Sequence, residues 1–388
     1  LRAARHADVD HSVTEQSPFP LLTWTESGAE HQLRWRSERG LPPPVRVITA
    51  DDTLAADAAF RLASEGTALL WQGDFQNARL LLQAIARRID KRAKPIEGEP
   101  RDRFNRYRMA QAQRARTLGM LLVPVQADHS ITLRRAPDVQ AACQEVYGDV
   151  AEAYAISLRE LQGLIGAHEW RHKGVEIGPL AGRIHPHYGV FSPVRGEYLD
   201  LIARAPLPTD ELAFDVGTGT GVLAAVLTKL GVKRIIATDQ DDRALACAKD
   251  NVGRLGLKQR ILVKRADLFP TGTSPLIVCN PPWLPAKPGS PLEHAVYDPD
   301  SRMLRGFLQG LRDHLTPDGE GWLIMSDLAE RLQLRAPGDL LAWIDAAGLK
   351  VLERMDAKPR HGRAADATDP LHAERSREVT SLWRLATA

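Results

Sequence analysis

The sequence predicts an α/β protein, a doubly wound and mostly parallel sheet preceded by an accessory amino-terminal domain that is itself α/β or mostly helical. Three observations carry this. From about Arg195 onward, short apolar strands alternate with helices, which argues for a parallel sheet covered on both faces. The stretch FDVGTGTGVL, Phe214 to Leu223, sets Gly217, Gly219 and Gly221 where a strand turns into a helix, the ligand crevice of a Rossmann-like sheet. The chain has 388 residues, more than one domain usually holds.

Composition narrows the class. Hydrophobic residues make up 44% and charged residues 26%, the balance of an ordinary soluble chain with a sizeable core. The net charge of +2 supports no global electrostatic argument, so local charge matters more. Cys143, Cys247 and Cys279 are far apart and odd in number, which gives neither a disulfide framework nor a zinc pattern and points to a reducing, cytoplasmic compartment. No run is apolar enough for a membrane span, and LRAARHADVDHSVTEQ lacks the apolar centre of a signal peptide.

Residues 1 to about 40 are polar and weakly patterned, and read as frayed. A strand at 45–49, a helix at 53–64 and a strand at 67–71 follow. The next helix has Asp74 near its start, with Ala78, Leu81, Leu82, Ile85 and Ile89 on one face. Another ends near Gly119. LLVPV and ITLRR read as strands, 137–147 and 151–166 as helices. The glycine- and proline-rich GVEIGPLAGRIHPHYGVFSP reads as a linker or elaborate loop. Domains are expected at 1–175 and 176–388. In the second, strands are expected at 212–216, 234–238, 261–265, 276–279, 321–325, 351–354 and 380–385. Helices are expected at 195–204, 222–230, 243–255, 303–314 and 340–347.

The glycine turn discriminates between cofactors. A dinucleotide fingerprint needs glycine at position 222, which is Val222. The spacing is G-x-G-x-G, around Thr218, with Asp215 two residues ahead of the first glycine; a carboxylate there repels a pyrophosphate and suits an ammonium group. The next strand ends at Asp239, beside Gln240, 22 residues after Gly217, where an acid accepts the hydroxyls of a ribose. After the third strand, Asp267, followed by Leu268, is placed to accept from an adenine amino group. An amino-acid ammonium, a ribose and an adenine together describe S-adenosyl-L-methionine. A glycine-rich turn can also merely pack a helix on a sheet, but three elements recurring after three successive strands favour the ligand.

The strand at 276–279 ends in Asn280, Pro281, Pro282 and Trp283. Two prolines stop strand pairing and stiffen the turn, and hold Asn280 out of the helical region. The Asn280 side-chain carbonyl and the Pro281 main-chain carbonyl are then two fixed acceptors for both hydrogens of a planar amino group, whose lone pair is freed toward an activated methyl without a strong base. Trp283 gives a planar target a stacking face. A plain proline turn capped by a core tryptophan is the ordinary alternative.

At these residues the chain resembles the class I S-adenosylmethionine-dependent methyltransferases of the N-P-P-(aromatic) group, over roughly Gly189 to Ser326. The resemblance implies that Asp215 to Gly221 hold the methionine part of the cofactor, Asp239 the ribose, Asp267 the adenine, and Asn280 to Trp283 the target. Tyrosine or phenylalanine is more usual than Trp283 at the aromatic position. YGVFSP, Tyr188 to Pro193, is similar to an element of ribosomal RNA guanine-N2 methyltransferases and brings Phe191 toward the target, whereas NPPWLP with AVYDPDSRMLRGFLQGL is similar to release-factor glutamine methyltransferases.

Charge bears on the target. Arg79 to Arg116 holds twelve Lys or Arg and four Asp or Glu. Arg87, Arg88 and Arg106 stand out, with Phe104 and Tyr107 between cations, as in a phosphate-backbone contact; a well-solvated pair of helices is the usual alternative. The preferred expectation is methylation of an exocyclic amine in structured, ribosomal RNA, with a release factor or ribosomal protein glutamine as the alternative. A catalytically dead RNA-binding protein is a third reading. His185 and His187 lack a third ligand, so no metal is expected. Cys279 reads as a packed thiol, and Asp298 as a turn residue or part of a loop over the target.

Overall fold

Central strands buried on both faces build two sheets with separate cores. The computed structural model describes residues 19–194, 196–289, 291–359 and 365–388. The expectations for residues 1–18 and for a helix start at Arg195 fall outside these.

The first sheet has six strands in the order β1-β2-β6-β5-β4-β3, so the amino-terminal unit is α/β. Strands β3 (Arg46–Ala50), β4 (Thr67–Trp71) and β5 (Leu121–Val125) are parallel, joined by α1 (Ala56–Ser64) and by α2 (Phe75–Arg92) with α3 (Pro100–Leu118). Asp74 caps α2 as the sequence indicates, accepting from the Gln76 amide. Three expectations need correction. Residues 21–35 are not frayed: β1 (Leu21–Glu26) and β2 (Ala29–Trp35) form a hairpin whose turn, Ser27-Gly28, has φ of 50° and 82°. Two positive φ values suit the right-handed strand twist, and Leu22 and Trp35 bury on the sheet. ITLRR is a turn rather than a strand, because Arg134 and Arg135 reach back 3.0 and 2.7 Å to the buried Asp74. The run expected as one helix at 151–166 divides into β6 (Tyr154–Ser157) and α5 (Leu158–Lys173); the Ser157 hydroxyl accepts from the Glu160 amide and starts the helix there.

The linker also carries structure. β7 (Val175–Ile177) and β8 (Gly182–Ile184) form a hairpin whose Val175, Ile177 and Ile184 join the second unit's core. That unit begins with α6 (Glu197–Arg204). Its sheet comprises β9 (Leu212–Val216), β10 (Arg234–Asp239), β11 (Ile261–Arg265), β12 (Ser274–Cys279), β13 (Leu315–Ser326), β14 (Leu349–Ala357) and β15 (Thr380–Thr387). The order is β11-β10-β9-β12-β13-β15-β14, with β15 antiparallel to its neighbours and the other pairs parallel, which is the class I methyltransferase arrangement. Period-two alternation sorts the side chains. Leu276, Val278, Trp322 and Ile324 pack under α6, α7 (Val222–Leu230) and α8 (Asp242–Arg254), whereas Ile277, Cys279, Leu323 and Met325 pack under α9 (Arg302–His314) and α10 (Asp339–Ala346). All three cysteines are free and buried, and burial pushes the Cys279 thiol well up. No helix among the described residues is long and apolar enough to cross a membrane.

The two units meet at the carboxyl rim of the second sheet. Phe104 of α3 packs with Leu284, Leu328, Leu332 and Leu371, and Tyr297 lies edge-on to its ring. Arg103 pairs with Glu374. Arg108 donates to the Lys287 carbonyl at 2.5 Å and lies 4.2 Å over the Tyr297 ring. Arg39 donates to the Gly289 carbonyl at 3.0 Å. Helix α3 therefore braces the loop that follows β12. Phe104→Ala should lower the unfolding free energy by about 3 kcal/mol, read as a reduced midpoint in a urea titration.

Candidate cofactor and target site

Strand pairing assembles the site. β9 and β12 run parallel with Val216 opposite Cys279, and β9 and β10 with Val216 opposite Thr238. Gly217, Asn280 and Asp239 are each the next residue along. The chain reaches β12 only after crossing from β11 over β10 and β9, so the glycine turn and the Asn280 turn flank the sheet's topological switch point.

Gly217, Gly219 and Gly221 have φ of 73°, 54° and 79°, a left-handed conformation that an L side chain rarely adopts. The Gly217 and Thr218 amides both donate to the Thr238 carbonyl, at 2.9 and 2.8 Å, which folds the turn back across β10. A Cβ on Gly221 would touch Ala248 of α8, so this glycine also allows close helix packing. Asp215 is fully buried. Its Oδ2 accepts from the Thr218 hydroxyl at 2.6 Å and the Ala224 amide at 3.1 Å, while Oδ1 is buried with no partner. Burial raises its pKa to about 6 against those two hydrogen bonds. A buried carboxylate with one unmet acceptor suits a ligand that brings a cation.

Asp239 is half-buried, and burial raises its carboxyl above the ordinary range. Its Oδ2 accepts from the Gly219 amide and Oδ1 from the Asp241 amide, both at 3.0 Å, so the glycine turn and the β10 end are held as one piece. Gln240 is exposed, its carbonyl accepting from Arg265. Asp267 is exposed and ion-paired to Arg302 at 2.7 Å; the carboxylate expected to be open for an adenine already has a cation on it. Leu268 has φ of 72°, a strained value for leucine, and its carbonyl accepts from the Thr238 hydroxyl at 2.6 Å. That bond fixes the loop after β11 against β10.

Asn280 and Trp283 are half-buried, and the Trp283 Nε1–H donates to Asn280 Oδ1 at 3.0 Å. The indole packs against the cores on both sheet faces. The tryptophan is thus more than a free stacking face, because it orients the amide that the sequence places at the target. A carbonyl oxygen has two lone pairs, so the second stays available. Pro281 is buried and Pro282 half-buried.

Other expected residues are spread more widely. Phe191 is half-buried in the loop ahead of α6. Arg88 is tied to Asp57 at 2.7 Å and Arg114 to Asp90 at 2.9 Å, and Arg103 and Arg108 face the second unit. Arg87 and Arg106 remain exposed, Arg106 donating to the Glu97 carbonyl. Much of the basic run is therefore engaged within the fold. His185 and His187 bind the linker to the second unit, through a 2.7 Å bond from the His185 amide to Asn251 and a 3.1 Å contact from His187 to Asp250. Asp298 is a buried cap of α9, accepting from the Met303 and Leu304 amides at 3.0 and 3.1 Å. The sequence reading missed Met303, whose Cε would lie 2.3 Å from a Cβ on Gly217. Its thioether covers the glycine turn, and only the three-dimensional crossing of α9 reveals it.

The Asp215 environment has a measurable consequence. Its folded pKa lies above the ordinary value of 3.8, so folding gains from it below that value and loses as pH rises through about 6. Asp215→Asn should stabilise the ligand-free protein at pH 8 by on the order of 2 kcal/mol. The difference should shrink below pH 6 and vanish near pH 4 in paired thermal melts.

Parts of the chain are similar to known proteins. Residues 199–281 match the family model of ribosomal protein L11 methyltransferase (PrmA). The release factor glutamine methyltransferase of Gloeobacter violaceus is 28% identical over 231 residues, 58% of this chain and 74% of the relative. The ribosomal protein uL3 glutamine methyltransferase of Bordetella pertussis is 31% identical over 155 residues, 39% of this chain and 45% of the relative. The ribosomal protein L11 methyltransferase of Exiguobacterium sibiricum is 41% identical over 76 residues, 19% of this chain and 24% of the relative. The chain thus spans most of the first relative and less than half of the other two. The carboxy-terminal unit is an S-adenosylmethionine-dependent methyltransferase related to the ribosomal protein L11 methyltransferases and to the release-factor and uL3 glutamine methyltransferases.

Proposed function

We propose that the protein methylates a side-chain amide nitrogen, most simply a glutamine, in a protein of the translation machinery. The observation that carries this reading is the adjacency of Asn280 to the glycine turn, imposed by the β9–β12 register. The relatives named above are protein methyltransferases, two of them acting on glutamine by name. This reverses the order of preference set by the basic run, whose cations Arg88, Arg103, Arg108 and Arg114 have partners within the fold. Residues 1–175 serve in this reading as the substrate-recognition domain and 176–388 as the transfer domain, in the cytoplasm.

S-adenosylmethionine supplies a methyl group on a sulfonium sulfur. Asp215 with its unmet oxygen takes the ammonium end, the backbone of Gly217, Thr218 and Gly219 lies along the methionine part, and Asp239 takes the ribose, with Gln240 beside it. Asp267 and Leu268 border the adenine, which requires the Asp267–Arg302 pair to open or share. Asn280 Oδ1 and the Pro281 carbonyl hold the two N–H bonds of the target amide. Fixing both bonds favours rehybridisation, so that the lone pair turns out of conjugation and toward the methyl. Trp283 holds Asn280 in that orientation and Phe191 borders the target.

The exposed cations Arg87 and Arg106 keep an RNA amine as the second reading. Tritiated-methyl transfer into separated ribosomal RNA, ribosomal protein and release-factor fractions decides between them. Label in a protein fraction is expected, and label confined to RNA would reverse the assignment. Asn280→Ala should abolish turnover while leaving cofactor affinity within about a few fold, as uniform binding is untouched. Trp283→Phe keeps a ring but removes the donor to Asn280, and should lower kcat by about tenfold, equivalent to roughly 1.4 kcal/mol, with a smaller change in KM.

A further inference from the structure

Away from the crevice, the described residues bring one further set of ligating groups together. His168 and His172 lie four residues apart on α5 and so share one side of the helix. Their ring centroids are 4.2 Å apart. Glu145, from α4 (Gln140–Tyr147), meets both: its Oε1 lies 3.1 Å from His168 Nδ1 and 3.4 Å from His172 Nε2. The His168 Nδ1 atom is buried and has no hydrogen-bond partner, although the carboxylate oxygen is close enough. Distance is therefore met and direction is not, which is unusual for a buried imidazole nitrogen.

We propose that Glu145, His168 and His172 form a binding site for a divalent transition metal of the Zn²⁺ class, which fastens α4 to α5. A tetrahedral zinc with bonds of about 2.0–2.2 Å keeps its ligand atoms roughly 3.3–3.6 Å apart. The measured 3.1 and 3.4 Å lie close to those edges, and all three ligand atoms fall within 4.8 Å of one another. Two imidazoles and one carboxylate suit zinc and its neighbours, whereas magnesium and calcium prefer oxygen alone. Water fills the fourth position. Arg171 holds the other carboxylate oxygen, with Nη1 3.4 Å from Oε2, and so keeps Oε1 turned toward the imidazoles. Its positive charge weakens the site's affinity for a dication without blocking the ligands. The same guanidinium lies 3.5 Å from Asp250 of α8, so the metal would sit at the junction of the two units and stiffen the last turns of α5, from which the chain enters the second unit. This site is not legible in the sequence, because the third ligand, Glu145, comes from another helix.

The test uses the untagged full chain, stripped of metal, titrated with zinc chloride by calorimetry and followed by thermal melting. The wild type should bind one equivalent and gain thermal stability, and magnesium chloride should do neither. His172→Ala, at an exposed position, and Glu145→Gln, which keeps the side chain's size, should each weaken zinc binding at least about tenfold. No stoichiometric uptake by the wild type would overturn the proposal, as would unchanged uptake in both variants or equal stabilisation by magnesium. Methyl transfer is not the readout, so the outcome is independent of the function proposed above.

Discussion

The parallel pairing of β9 with β12 is the constraint on which the site depends. Placing Val216 opposite Cys279 leaves the glycine turn and the proline turn no choice but to emerge side by side. A one-residue slip would exchange the faces of β12, driving Ile277 and Cys279 out of one core and Leu276 and Val278 out of the other. Each of these side chains is fully buried, and both faces of β12 are covered, so a slip would put each one into the opposite core with the wrong volume, a repacking cost of about 1–3 kcal/mol for each misfit. The relative placement of the two turns is thus specified by hydrophobic packing beneath them.

A second layer of control comes from polar contacts that hold the turns in place. Asp239 joins the Gly219 amide to the end of β10, Thr238 fixes the Leu268 carbonyl, and Trp283 orients Asn280. The amino-terminal unit adds a third layer. Its helix α3 presses Phe104 and Arg108 against the loop after β12, so that loop is shaped by both units. Much of the positive charge on α2 and α3 is accounted for by these and by local pairs, and only the remainder, including Arg87 and Arg106, faces solvent.

The second sheet was legible because its strands are short, apolar and bounded by turns, and because Asp215, Gly217, Gly219, Gly221 and Asn280 to Trp283 are local signals. The first hairpin was not, since β2 is mostly exposed and its polar surface residues hide the alternation of Leu33 and Trp35. ITLRR carries a strand composition but is held in a turn by the Asp74 contacts, a tertiary override of local preference. Met303 over Gly217, Arg302 on Asp267 and the indole bond to Asn280 each depend on side chains meeting across the fold, which spacing alone does not encode.

In the proposed function the glycine turn and the Asn280 turn form a single crevice. A crystal structure of the full chain with S-adenosylhomocysteine tests it most directly. Density is expected against Gly217 and Gly219, between Asp215 and Asp239, with the homocysteine sulfur facing Asn280. Density seated elsewhere, or with its sulfur turned away from the Asn280 turn, would contradict it.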